Sequence, residues 1–144
     1  MRRRIHAFSA VLALLFVAAF WISTVVSELF LSAAAVAQVK LAIAYALLGF
    51  VPVMMLTGAS GFALGGKGRH PLLLAKRRRM SFIVANGLFV LAPAAVFLSI
   101  RAQAGSFDSV FYSVQALELA AGAANLGLIA LNIRDGIRLG RRRI

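Results

Sequence analysis

Four long runs of mostly apolar residues constrain the fold of this chain more than any other feature of its sequence. A helix that crosses a lipid bilayer requires about 20 consecutive, predominantly apolar residues. Four segments meet that length: residues 5–27, 37–57, 80–100 and 110–133. We therefore predict an all-α integral membrane four-helix bundle, a single transmembrane domain over residues 1–144 with an inner loop at 58–79.

The composition agrees with this prediction. Of the 144 residues, 62% are hydrophobic and 14% are charged, whereas soluble domains are about half apolar and a quarter charged. We expect a multi-pass protein of a cell membrane, with the bacterial inner membrane as its location.

The basic residues are distributed unevenly between the two ends of the predicted helices. Of 16 Lys and Arg residues, only Lys40 and Arg101 lie toward one side. The others precede the first run, follow the fourth, or lie between the second and third. Because Lys and Arg near helix ends stay on the cytoplasmic side of a membrane, both termini are predicted to be cytoplasmic.

The basic residues form three clusters next to the predicted spans. Each cation near a membrane surface attracts anionic headgroups by about 1 kcal/mol, so inner-leaflet lipids are the expected partners. A nucleic-acid partner is not expected, since such interfaces concentrate cations and aromatic residues on one recognition element. The predicted lipid contacts are Arg2, Arg3, Arg4, Lys76, Arg77, Arg78, Arg79, Arg141, Arg142 and Arg143.

Little in the sequence predicts catalysis or a cofactor. The absence of cysteine excludes disulfides and thiolate metal sites. Residues 61–67 match the first seven positions of a phosphate-binding G-x-x-x-x-G-K loop, but Gly68 replaces the required Ser or Thr, and no strand precedes the segment. We expect neither enzymatic activity nor a cofactor.

The two histidines leave one cofactor alternative open. His6 and His70 both fall at the predicted cytoplasmic surface, and two histidines at one level can ligate haem. Bundles that hold haem usually place each ligand on a core-facing helix position, whereas His70 precedes Pro71 in the predicted loop. Two interfacial imidazoles are the preferred interpretation.

The N-terminus also allows two interpretations. The basic start and the Ala-x-Ala pattern that ends at Ala37 are typical of a cleaved secretory signal. The apolar segment at 5–27, however, is longer than the 7–15 residues of a signal core. We expect it to be retained as the first span.

A polar stripe marks the fourth run. Steps of three and four residues place its polar side chains on one face of a helix, and in hydrocarbon such a face turns toward other helices. Asn125 and Asn86 of the third run lie at similar depths in their helices, which predicts a hydrogen bond between them. The predicted polar seam comprises Gln115, Glu118, Asn125, Asn132 and Asn86.

Lys40 and Glu118 are predicted to form an ion pair. Lys40 is the only cation inside a run, and its depth lies within a side-chain length of Glu118. Glu28 is the competing partner, and extension of Lys40 to water is the remaining alternative. In the third run, Pro93 removes a backbone donor, which predicts a kink.

These features favour a small, non-catalytic accessory, assembly or scaffold subunit that binds another membrane protein or itself. The alternative is a small oligomeric transporter or channel that uses Glu118 and Lys40. A b-type haem redox protein that uses His6 and His70 is the second alternative.

The predicted topology can be tested with reporter fusions. A reporter that works only in the cytoplasm should be active after Ile144 or near Gly66 and silent near Ala104, because the basic residues orient the helices. Activity at Ala104 would contradict the four-span topology.

Overall fold

A computed structural model describes residues 2–65 and 71–141, and every long element among them is helical. The helices are α1 (Arg2–Phe30), α2 (Ala33–Gly65), α3 (Pro71–Asn86), α4 (Ala92–Gln103) and α5 (Ser109–Arg141). A π-helical turn at Gly87–Leu91 joins α3 and α4 into one continuous rod. Four stretches are long and apolar enough to span a membrane: Arg3–Phe30, Ala33–Leu64, Leu73–Gln103 and Ser109–Arg138.

The predicted inner loop at 58–79 is largely helical instead. α2 continues through Gly58 and Gly61 to Gly65, and Pro71 opens α3, a position where its fixed φ suits a helix. The two glycines permit close packing rather than ending the helix. A Cβ on Gly58 would lie 3.1 Å from Val84 Cγ2, and one on Gly61 would lie 3.1 Å from His6 Cε1.

The four long helical stretches form an antiparallel ring. α1 packs between α2 and α5, and the α3–α4 rod packs between the same two helices. His6 Nδ1 lies 3.0 Å from Ser60 Oγ, which links the start of α1 to the end of α2. Gln103 donates to the Ala37 carbonyl at 2.8 Å, which links the end of α4 to the start of α2.

The ring therefore has two chemically different ends. The first, here named the basic end, holds the start of α1, the end of α2, the start of α3 and the end of α5. Its described cations include Arg3, Arg4, Lys76, Arg77, Arg78, Arg79, Arg134 and Arg138. The second, the turn end, holds the connections α1–α2 and α4–α5.

Side-chain hydrogen bonds close the α4–α5 turn. Gly105 adopts a φ of 68°, which few residues other than glycine reach. Asp108 caps α5, accepting a hydrogen bond from the Phe111 amide at 3.0 Å, and also pairs with Arg101. The hydrogen bond from Arg101 lowers the pKa of Asp108. The resulting stabilisation is present above the usual carboxyl pKa, is lost as pH falls through the lowered value, and is small because the pair is solvent-exposed.

The apolar core lies along the ring axis. Phe50 packs against Phe16 and Phe20, with ring centroids 6.0 and 5.7 Å apart. Large apolar side chains also cover the outside: Leu48 and Phe89 are each 78% exposed. Such an apolar exterior is typical of a surface that faces lipid or another protein.

The irregularity predicted at Pro93 takes the form of the π-helical turn. The Ala92 amide donates to the Gly87 carbonyl, five residues back. Pro93 has no amide hydrogen with which to continue the regular α-helical pattern. The turn begins directly after Asn86, a residue of the predicted polar seam.

Gly122 allows α1 and α5 to approach closely. A Cβ at this position would lie 3.1 Å from Trp21 Cδ1. The Trp21 ring is held in place because its Nε1 donates to the Leu119 carbonyl at 3.0 Å. By contrast, a Cβ on Gly127, one and a half turns further along α5, would meet no atom within 4 Å.

Gly122→Leu should lower the free energy of unfolding by about 1–3 kcal/mol relative to Gly127→Leu, since overpacking a filled interface costs that much. Gly127→Leu is the matched control, because it adds the same side chain to the open face of the same helix. Reversible unfolding in bicelles measures both variants. Equal stabilities would contradict the close packing of α1 on α5.

Candidate functional site: polar contacts between the helices

The structure brings the predicted pair Lys40 and Glu118 together inside the ring. Lys40 Nζ lies 2.8 Å from Glu118 Oε2, and the two side chains are 0% and 13% exposed. Because Lys40 is fully buried, its ammonium does not extend to water.

Two further side chains complete this contact. Lys40 also donates to Thr24 Oγ1 at 3.3 Å, and Gln115 Nε2 donates to Glu118 Oε2 at 3.0 Å. The polar group comprising Thr24, Glu28, Lys40, Gln115 and Glu118 is here named the ion-pair cluster. Its residues come from α1, α2 and α5, so it connects three helices near the turn end.

Glu28, the competing partner for Lys40, is placed beside the pair rather than in it. It interacts electrostatically with both Lys40 and Glu118. Its Oε1 is buried and has no hydrogen-bond partner among the residues the structure describes. Two carboxyl groups therefore lie near one ammonium group.

A second polar contact joins α5 to the α3–α4 rod. Asn86 Nδ2 donates to Asn125 Oδ1 at 2.9 Å and to the Ala121 carbonyl at 3.0 Å. Asn125 Nδ2 in turn donates to the Ile83 carbonyl at 3.3 Å. Asn125 is completely buried. The π-helical turn thus starts directly after a residue that is bonded to the neighbouring helix.

Asn132 is on the predicted inward face but does not join this network. Its side chain is buried, with the residue 6% exposed. Neither its Oδ1 nor its Nδ2 has a hydrogen-bond partner within the described part of the chain. The helical periodicity therefore predicted correctly that Asn132 faces the interior. It did not predict whether the side chain has a hydrogen-bond partner there.

Two contacts were not foreseen from the sequence. The first is the hydrogen bond from Trp21 to the Leu119 carbonyl, for which the sequence carries no signal. The second is Asp135, which is 2% exposed and lies 2.6 Å from Arg79 Nη1 and 3.3 Å from Arg134 Nε. As the one acidic residue at the basic end, Asp135 could have been recognised by its charge.

The predicted lipid-contacting residues fall into different environments. Arg3, Arg4 and Arg78 are exposed, whereas Lys76 and Arg77 are partly buried. Arg79 is also partly buried and pairs with Asp135. The side chains of Arg2 and Arg141, together with residues 142–144, lie outside the described part of the structure.

The structure describes only one of the two histidines on which the haem alternative depends. His6 contacts Ser60, and His70 lies outside the described residues. Within residues 2–65 and 71–141, no group of three or more His, Cys, Asp or Glu side chains could hold a metal ion.

A small cavity lies beside the ion-pair cluster. It measures about 40 Å³ and is bordered by Thr24 and Glu118, by Trp21, and by apolar residues that include Leu91 and Ala95. One bound water requires about 10–15 Å³ of such volume, so this cavity has room for a few water molecules.

The ion pair can be tested with a double-mutant cycle. Glu118→Ala should destabilise the bundle more than Glu28→Ala, because it leaves the Lys40 ammonium buried and unpaired. An unpaired charge costs about 2.5–3.5 kcal/mol at a bilayer centre and less toward the interface, whereas a single polar contact contributes about 0.6 kcal/mol. Adding Lys40→Ala should recover part of the loss. Additive losses in bicelles would show that the two residues are uncoupled.

The two buried asparagines of α5 should respond in opposite ways to one substitution. Asn125→Leu should destabilise the bundle by about 1–3 kcal/mol, because it removes one of the two acceptors of the Asn86 amide and the donor to the Ile83 carbonyl. Asn132→Leu should be neutral or stabilising, since it removes buried polar atoms that make no described hydrogen bond. Unfolding in bicelles compares them directly. A larger loss for Asn132→Leu would contradict these roles.

Compared with known protein families, curated proteins and solved structures, the chain matches none of them at a significant level. Function must therefore be argued from the geometry of the polar contacts themselves.

Proposed function

We propose that this protein is a non-catalytic membrane subunit, an accessory, assembly or scaffold protein whose binding surfaces are its helix faces and its basic end. The observation that carries the proposal is the pairing of two sets of interior polar side chains, Lys40 with Glu118 and Asn86 with Asn125. The Lys40 ammonium is enclosed by Glu118 and Thr24, and Asn125 is enclosed by Asn86 and the Ile83 carbonyl.

This pairing favours a structural role for the polar side chains. Polar groups between membrane helices connect the helices when they bond to each other. A catalytic site instead requires an acid, a base or a nucleophile that converges on space open to a substrate. Here the cavity beside the ion-pair cluster accommodates only a few waters.

The charge distribution supports a bilayer orientation with the basic end in the cytoplasm. Lys and Arg at helix ends remain on that side during insertion, and the start of α1 and the end of α5 share the basic end. We place the protein in a cell membrane, as a multi-pass protein of the bacterial inner membrane. Its partners are anionic inner-leaflet lipids and either another membrane protein or a second copy of itself.

The subunit proposal is tested by site-specific photo-crosslinking in native membranes. A crosslinking residue at the exposed positions Leu48 or Phe89 should capture one stoichiometric membrane protein, identified by mass spectrometry. The same residue at the buried Met54, 0% exposed, is the matched control and should capture nothing. Loss of this chain should also reduce the assembled amount of the companion. An unchanged companion, or crosslinks to lipid alone, would contradict the proposal.

A small transporter or channel is the second candidate. Two observations favour it: Glu28 Oε1 is buried without a described partner, and the wall of the adjacent cavity includes Leu91, the last residue of the π-helical turn. Such turns occur frequently at functional sites.

Ion flux into vesicles that contain the purified protein distinguishes the two candidates. If Glu118→Gln abolishes a proton or cation flux and leaves stability intact, the transporter function replaces the structural one. Asp108→Asn is the control, since it removes an acidic residue at the same end but in an exposed turn. No flux in the unmodified protein would eliminate the transporter.

A further inference from the structure

A cleft opens at the basic end between α1, α2 and α3. It measures about 80 Å³, about twice the volume of the cavity beside the ion-pair cluster. His6, Lys76 and Arg77 supply its polar lining, and Phe62, Leu73 and Met80 supply much of its apolar lining. The lining of the cleft thus combines groups that suit an anion with groups that suit hydrocarbon.

The cations at this end outnumber the carboxylates. The whole chain contains four acidic residues, and three of them, Glu28, Asp108 and Glu118, lie toward the turn end. The fourth, Asp135, is bound by Arg79 and Arg134. Lys76 also interacts electrostatically with Asp135. This excess of basic over acidic side chains attracts anions to the basic end.

Two glycines leave space for side chains that line the cleft. Gly61 leaves space for the His6 ring, since a Cβ there would lie 3.1 Å from His6 Cε1 and 3.7 Å from Met80 Cε. Gly136 of α5 leaves space for Lys76, whose Nζ would lie 3.0 Å from a Cβ at that position. Both side chains are therefore packed in place rather than extended into solvent.

The volume matches the size of a phosphate group. A bound water requires about 10–15 Å³ of such volume. The cleft therefore has room for about five to eight waters, or for one phosphate group in their place. Phosphate oxygens accept strong hydrogen bonds from ammonium and guanidinium groups. At the edge of the cleft, Phe62 and Leu64 are 41% and 37% exposed, a surface suited to acyl chains.

We propose that this cleft binds the phosphate of one anionic phospholipid, with its acyl chains along Phe62 and Leu64. Basic pockets between helices at the cytoplasmic side of a membrane bind such headgroups. The inference rests on the proposed membrane location but not on the accessory role. It assigns one defined site, which includes His6, in addition to the general attraction of the basic clusters for anionic lipids.

The test is native mass spectrometry of the full purified chain in detergent, titrated with phosphatidylglycerol and, separately, phosphatidylcholine. The unmodified protein should retain one phosphatidylglycerol in preference to phosphatidylcholine. Lys76→Gln and Arg77→Gln should each weaken this binding about tenfold or more. Arg78→Gln is the matched control, because it removes the same charge from the same run at an exposed position that does not line the cleft.

Leu64→Trp provides a second variant that narrows the cleft without changing its charge, and it should also weaken binding. Thermal denaturation checks that each variant is folded. Equal binding of phosphatidylglycerol by the Lys76, Arg77 and Arg78 variants would show that the lipid is held only by non-specific charge attraction. That result would overturn the proposal. Displacement of the lipid by millimolar glycerol 3-phosphate would identify a soluble phosphate compound as the ligand and overturn the lipid assignment. Because the purified chain is tested alone, a missing protein companion does not affect these outcomes.

Discussion

The buried ion pair between Lys40 and Glu118 is the interaction on which the rest of the bundle depends. α2 and α5 occupy opposite corners of the ring, and the long lysine side chain connects them across its interior. Thr24 brings α1 into the same contact. Inside a bilayer no solvent would compensate a separated charge, so these three helices hold a fixed relative position as long as the pair is intact.

The amide contact performs a related function for the remaining rod. Asn125 bonds to Asn86 and to the Ile83 carbonyl, next to the point where Pro93 interrupts the regular helix. The π-helical turn at Gly87–Leu91 absorbs the missing backbone bond, while the amides fix its orientation against α5. An irregular backbone segment is tolerated where neighbouring helices satisfy it.

The two ends of the ring differ in charge, and that difference connects the fold to the proposed function. At the turn end, Asp108 and Arg101 pair with each other, and Glu118 pairs with Lys40. At the basic end, Asp135 is the one acidic residue among many cations. The surplus there favours both a cytoplasmic orientation and the binding of anionic lipid, whereas the interior offers little space for a substrate.

The sequence by itself predicted four long apolar helices, because each apolar run is long enough to cross a bilayer. The helices of the structure extend beyond these runs, which marked only the most apolar part of each helix. The sequence also predicted the partners Lys40–Glu118 and Asn86–Asn125, since depth along a helix follows from a rise of about 1.5 Å per residue. Only the tertiary structure decided which helices are neighbours, and therefore the bond from Trp21 to Leu119 and the burial of Asp135 against Arg79. It also decided that Gly58 and Gly61 continue α2 instead of ending it, because a glycine that permits close packing and one that ends a helix are identical in sequence and differ only in what lies opposite.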